Sequence, residues 1–152
     1  TETSKEYFSF VWKLYYEMQM PMLLGFKKVY GDLESFHVHG ICLINHALNS
    51  KRNDNSEMSK EFYLEKYFFA DKKDFSGVNA MSISEITGIP RATVIRKLNR
   101  LLKEKFLKID SKKHYSTTGV NQKKILNVQK KTLDNLSNFV TRIYNLSLIK
   151  DN

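Results

Sequence analysis

SISEITGIPRATVIRKLNRLLKEKFLKI, residues 82–109, is the stretch whose spacing decides the fold. Ile83 and Ile86, then Gly88, then Ile89, Val94, Leu98, Leu101 and Leu102 fall where two short packed helices need apolar side chains. Ser82 is expected to cap the first helix, with Glu85 three residues on completing a capping box. Gly88 falls where the chain turns sharply, a position that favours a residue at ease with positive φ. Pro90 brings a fixed φ suited to the first turn of the second helix. The pattern is that of a helix-turn-helix.

At 100° per residue, Val94, Leu98, Leu101 and Leu102 gather on one side of the second helix, with Ile95 at the flank. Arg96, Arg100 and Lys103 gather opposite, with Ala92, Thr93 and Asn99 beside them. In a helix-turn-helix the second helix lies in the major groove and its N-terminal residues meet base edges. On that expectation Arg91, Ala92 and Arg96 read bases, the two arginines as bidentate partners of guanine. Thr93, Lys97 and Arg100 hold phosphates, which fix register without reading sequence. Ser82 is counted with this DNA-contacting set. An amphipathic helix with a solvated basic face is the other reading of these residues.

Phe106-Leu107-Lys108-Ile109 reads as a strand and His114-Tyr115-Ser116-Thr117-Thr118 as its partner, with Asp110-Ser111-Lys112-Lys113 at the tip. A hairpin with Lys112 and Lys113 at its tip, directly after a recognition helix, is expected to act as a wing on the backbone or minor groove. GIPRATVIRKLNRLLKEKFLKI is similar to the recognition-helix-and-wing stretch of bacterial winged-helix regulators, and most closely resembles the MarR-type repressors. Arg91, Thr93, Val94, Leu98 and Leu101 match that pattern. Two residues depart from it. Lys105 stands where many of these proteins end the helix with glycine, and Pro90 where a Ser or Thr often caps it and touches phosphate. The resemblance covers about 40 of the 152 residues. It implies a homodimer joined through both chain ends, and it leaves room for a small-molecule effector.

Charge agrees with this placement. The chain carries a net charge of +9. Residues 91–131 hold thirteen Lys/Arg against two acids, Glu104 and Asp110, giving +11; the remainder holds twelve against fourteen, giving −2. A localised positive excess is the footprint of a polyanion-binding face. An acidic membrane would attract the same charge, but no lipidation motif or lipid-facing helix accompanies it.

With 41% hydrophobic and 12% aromatic residues, the composition supports a packed core. The chain is read as one domain, 1–152, with an N-terminal helical extension at 1–32, a core with wing at 33–119 and a C-terminal helix at 120–152. The expected fold is mostly α: a winged helix-turn-helix core, a small β-hairpin and long terminal dimerisation helices. Residues 5–20 carry Tyr7, Phe8, Phe10, Trp12, Tyr15 and Tyr16, and their apolar spacing makes two stripes, so the helix is expected to be buried on two sides. Pro21 and Gly25 are expected to interrupt it before a second stretch to Tyr30. The aromatic cluster is read as core, with an effector pocket as the other reading. The next helix, 33–49, is expected to turn Ile41, Ile44 and Leu48 toward the core.

Residues 50–80 form an insertion in which Phe62, Tyr63, Tyr67, Phe68 and Phe69 suggest a short helix. From about Val120 to Ile149 the chain reads as one long helix. Its stripe Leu133, Leu136, Val140 and Ile143 has coiled-coil spacing, and an intramolecular core would want the same stripe. A two-fold dimer would set its recognition helices about 34 Å apart.

His39, Cys42 and His46 share the helix face opposite Ile41, Ile44 and Leu48 and suit zinc by chemistry. No fourth ligand is identifiable, so packing against another helix is the preferred reading and no cofactor is expected. Cys42 is the only cysteine, which excludes an intramolecular disulfide and fits a reducing cytoplasm. A peroxide-sensing thiol would need exposure and a lowered pKa, and the inert reading is preferred. Thr1 in place of Met points to processing or trimming, and the polar start holds no apolar signal core. No window is apolar enough for a membrane span. Lacking GxSxG, HExxH, a phosphate-cradling glycine loop and a telling carboxylate pair, the sequence does not read as an enzyme. The expected function is a cytoplasmic, homodimeric regulator that binds double-stranded DNA. A winged-helix protein–protein module and a replication or plasmid-maintenance DNA binder are the alternatives.

Overall fold

A computed structural model describes residues 7–52 and 77–148. It is mostly helical, with one small antiparallel sheet. In chain order the elements are α1 (Phe8–Tyr30), α2 (Leu33–Arg52), α3 (Ala80–Thr87), α4 (Arg91–Lys103), β1 (Leu107–Ile109), β2 (Tyr115–Thr117) and α5 (Gln122–Leu148). The aromatic run from Phe62 to Phe69 lies outside the described residues. Where one domain was expected, the chain divides into two compact units. One comprises residues up to Val29 and from Lys123 onward, and the other runs from Tyr30 to Gln122.

In the terminal unit, α1 is one continuous helix; Pro21 and Gly25 do not break it. A proline removes a single backbone donor, and Pro21 lies on the exposed side. Gly25 serves the packing: a Cβ there would come within 2.9 Å of Val128 Cγ1 on α5. Tyr15 meets Phe139 edge-on at 6.5 Å, and Arg142 Nη1 donates to Glu17 Oε2 at 2.8 Å. Leu14, Phe26 and Ile125 are buried. The aromatic cluster of α1, expected as core in a helix buried on two sides, is instead largely open: Phe10 is exposed and Tyr15 half-buried. Phe8, Trp12, Tyr16, Met20 and Leu24, spaced every four residues, remain exposed. On α5, Leu133, Leu136 and Val140 also point outward, so the coiled-coil stripe is not spent inside the chain.

The central unit packs α2, α3 and α4 against one another and lays the hairpin along α2 and α4. Asn79, not Ser82, caps α3: its side chain accepts the Ser82 amide at 2.9 Å. The helix therefore starts three residues early, and Ser82 and Glu85 of the expected capping box both lie inside it. Gly88 takes φ +70° and its amide returns to the Ser84 carbonyl at 2.9 Å, ending α3 as its position predicted. Ser84 Oγ donates to the Ile89 carbonyl at 2.7 Å, fastening the turn that delivers Pro90 as the N-cap residue of α4.

Val94, Leu98 and Leu101 then bury the inner side of α4. Lys105 accepts the left-handed conformation, φ 59°, that a glycine usually takes there. Its amide bonds the Leu102 carbonyl at 3.0 Å while Phe106 bonds Leu101 at 2.9 Å, which together form a Schellman motif. Beyond it, β1 and β2 pair in the register Leu107↔Thr117, Lys108↔Ser116 and Ile109↔Tyr115. Val78 adds a bridge to Tyr115, and Gly77 beside it has no room for a side chain: a Cβ would meet the Tyr115 carbonyl oxygen at 2.3 Å.

The core side of α2 is the reverse of the one expected. Ser35, Val38, His39, Cys42, Leu43 and His46 are buried, while Ile44 is 54% and Leu48 61% exposed. His39 fits an apolar interior because its neighbours are aromatic and one of them supplies its polar partner. Tyr30 Oη lies 2.6 Å from His39 Nδ1, and the Tyr30 and Phe106 rings flank the imidazole at 5.4 and 5.5 Å.

Candidate nucleic-acid interface

The surface built by α4 and the hairpin contains most of the side chains that charge and spacing singled out. Arg91, Ala92, Arg96 and Lys103 are exposed, and Thr93 is half-buried. Ala92, Arg96, Asn99 and Lys103 form one outward stripe, because steps of four, three and four residues return to the same side of a helix. Asn99 belongs to this stripe and was not counted among the expected contacts, although its spacing of three from Arg96 signals it; asparagine suits adenine edges. Arg91, Arg96 and Lys103 form no ion pair among the described residues.

Lys97 and Arg100, expected on phosphates, are occupied inside the unit. Lys97 Nζ lies 3.0 Å from Asp32 Oδ1 and 3.1 Å from Glu34 Oε2, and its side chain is 12% exposed. Arg100 Nη1 donates to Asp32 Oδ2 at 2.8 Å, Nη2 donates to the Tyr30 carbonyl, and Nε faces Glu104 Oε1 at 3.4 Å. Their charge is balanced locally, so we withdraw both from the phosphate-contacting set. Burial pushes the Asp32 carboxyl upward. The Ser35 amide, Lys97, the Ser35 hydroxyl and Arg100 outweigh this and hold it well below the ordinary carboxylate range. Ser82 is half-buried in the first turn of α3, where its amide serves the cap.

At the hairpin tip Asp110 organises the turn. Its Oδ1 accepts the Lys112 amide at 2.8 Å and the His114 amide at 2.9 Å. The His114 amide is the main reason that the Asp110 carboxyl lies below its usual value. Lys113 adopts φ 60°, and both Lys112 and Lys113 are exposed with no ion pair among the described residues. The turn thus sets two cations at its outer end, with one acid committed to backbone amides.

The zinc candidates do not form a site. His39, Cys42 and His46 lie in the core, and among the described residues no group of three His, Cys, Asp or Glu is arranged to hold a metal. Burial lowers the His39 imidazole to about 4 and pushes the Cys42 thiol up to about 12. Such a thiol holds its proton at neutral pH, the opposite of a sensing cysteine. The aromatics of α1 do not wall the hollow of about 420 Å³ described in the terminal unit, which is walled instead by Met22, Lys28, Val29, Val128 and Lys131, among others. Among the described residues no helix is long and apolar enough to cross a membrane.

No family model, no curated protein and no solved structure matches the chain.

Proposed function

We propose that this chain is a homodimeric, sequence-specific duplex DNA-binding protein of winged-helix type, acting as a cytoplasmic transcription regulator. One observation carries the reading. The outward stripe Ala92-Arg96-Asn99-Lys103, with Arg91 at its head, leaves its cations without an ion pair among the described residues, beside a hairpin tipped by Lys112 and Lys113. Arg91, Arg96 and Asn99 meet base edges; Thr93, Lys103, Lys112 and Lys113 hold the backbone. The charge distribution supports it, since the chain outside residues 91–131 carries a slight negative excess.

The dimer finds support in the terminal helices. Phe8, Trp12 and Tyr16 are 61%, 42% and 55% exposed. At about 200 Å² per aromatic side chain, these three alone leave about 300 Å² open. Met20, Leu24, Leu133, Leu136, Val140, Tyr144 and Leu148 add to them. Exposed apolar surface of this kind marks protein–protein contacts, and a standard interface takes ~800 Å² per partner.

Fluorescence anisotropy with labelled duplex DNA across a salt series tests the reading. Each phosphate neutralised contributes about 0.9 to the log–log slope, so the three backbone lysines of each protomer, doubled in the dimer, should give a steep dependence. Affinity that barely responds to salt would exclude the basic surface as the binding face. A protein–protein module has one observation of its own: an apolar hollow of about 370 Å³ lined by Phe36, His37, Gly40, Ile41, Ile44 and Thr87. It predicts no preference for any duplex in the same titration.

A further inference from the structure

We propose that Asp32 is a positioning residue: its carboxylate, at the start of α2, fixes the rotation at which α4 is presented, and so sets base discrimination without touching DNA. This rests on the reading of α4 as the DNA-contacting helix. Asp32 engages three residues at once. Oδ1 accepts the Ser35 amide at 2.7 Å, capping α2, and lies 3.0 Å from Lys97 Nζ. Oδ2 accepts Arg100 Nη1 at 2.8 Å and the Ser35 hydroxyl at 3.2 Å. Gly31, at φ +79°, turns the chain so that the Tyr30 carbonyl and the Asp32 carboxylate both face the same guanidinium. A Cβ on Gly31 would stand 3.5 Å from Arg100 Nη1, in ordinary contact, so the corner lies directly against that side chain.

The two cations sit on the flank of α4, between its buried stripe and its outward stripe. Val94, Leu98 and Leu101 hold the helix by apolar contact, which is non-directional and resists rotation about the axis weakly. Hydrogen-bonded ion pairs are directional, and here they join residues 68 positions apart in sequence. A side chain roughly 6 Å from a helix axis moves ~1 Å for a rotation of about 10°. A bidentate base contact needs placement to about 0.5 Å. Releasing the clamp would therefore damage base reading before it damaged backbone contact.

The charge effect makes the test decisive. Removing one of the acids that balance Lys97 and Arg100 strengthens binding to any polyanion, whereas loss of position weakens binding only to the preferred sequence. Asp32→Asn separates these effects, because asparagine still accepts the Ser35 amide and is among the best N-caps. Duplexes enriched from a random library by the full chain would be compared with scrambled duplexes by anisotropy at one salt concentration. For Asp32→Asn the ratio of selected to scrambled affinity should fall at least tenfold, with scrambled affinity unchanged or raised. Should that variant melt below the assay temperature, Arg100→Lys keeps the charge but cannot span Asp32 and the Tyr30 carbonyl, and the same loss is expected. An unchanged ratio in folded variants, or an equal loss on both duplexes, overturns the positioning role while leaving DNA binding intact. If the wild-type chain enriches no duplex, the proposed function and the positioning role fall together.

Discussion

Acidification offers a direct test of the core, through His39. Its imidazole is buried, lies with Nδ1 2.6 Å from the Tyr30 hydroxyl, and titrates at about 4 in the fold against an ordinary 6.5. The unfolded chain therefore takes up this proton first as pH falls. The contribution of neutral His39 is complete above about pH 6.5 and is lost progressively down to about pH 4. At 1.36 kcal/mol per pH unit the whole loss is about 3 kcal/mol, of which about 2 kcal/mol falls between pH 7.5 and pH 5. Against a typical total of roughly 5–15 kcal/mol, this is a large fraction. Asp32 acts lower: its depressed carboxyl stabilises the fold above the ordinary carboxylate range and loses that contribution as pH falls below about 4. Urea unfolding followed by circular dichroism at about pH 7.5, 6.5, 5.5 and 5.0, in wild type and in His39→Gln, would separate the share of His39 from that of the other histidines. In His39→Gln the slope over that interval should flatten, although the variant starts less stable. A wild-type stability that is level from pH 7.5 to 5, or a drop undiminished in His39→Gln, would refute the assignment of a neutral core histidine.

Three further outcomes are expected. Arg96→Ala should cost about 1–3 kcal/mol on the selected duplex and relax its sequence preference; uniform weakening on all duplexes would reassign Arg96 to the backbone. Lys105→Gly should stabilise the chain by roughly 0.5–1 kcal/mol, since the left-handed conformation costs a side chain about 1–2 kcal/mol and glycine returns part of that as unfolded-state entropy. In thermal melts this appears as a rise of roughly 2–3 °C, and a fall would contradict the observed helix end. Tyr16→Glu, on the outward stripe of α1, should convert a dimer to a folded monomer in sedimentation equilibrium at micromolar concentration; a dimer that survives it would remove this stripe from the interface.

Much of the central unit was legible from local pattern. The apolar spacing of Val94, Leu98 and Leu101, the turn glycine Gly88 and the hairpin strands are properties of neighbouring residues, and each takes the predicted role. The side of α2 that enters the core was not legible, because that helix carries apolar residues all round. Its orientation was decided by Tyr30 and Phe106, which flank His39, and no periodicity within α2 reports on them. The cap of α3 was missed for a smaller reason: Asn79 and Ser82 are both good caps, and the helix begins at the earlier one.

By itself the sequence determined that residues 82–118 form two helices and a hairpin, and that positive charge concentrates from Arg91 onward. Spacing and composition act locally, so they survive without knowledge of the partners. Tertiary structure alone decided which of those charges are available. Arg96 and Arg100 stand one turn apart with the same chemistry, yet Asp32 neutralises Arg100 and leaves Arg96 exposed. A cation's availability depends on the nearest acid in space, and that acid lies 68 residues away along the chain.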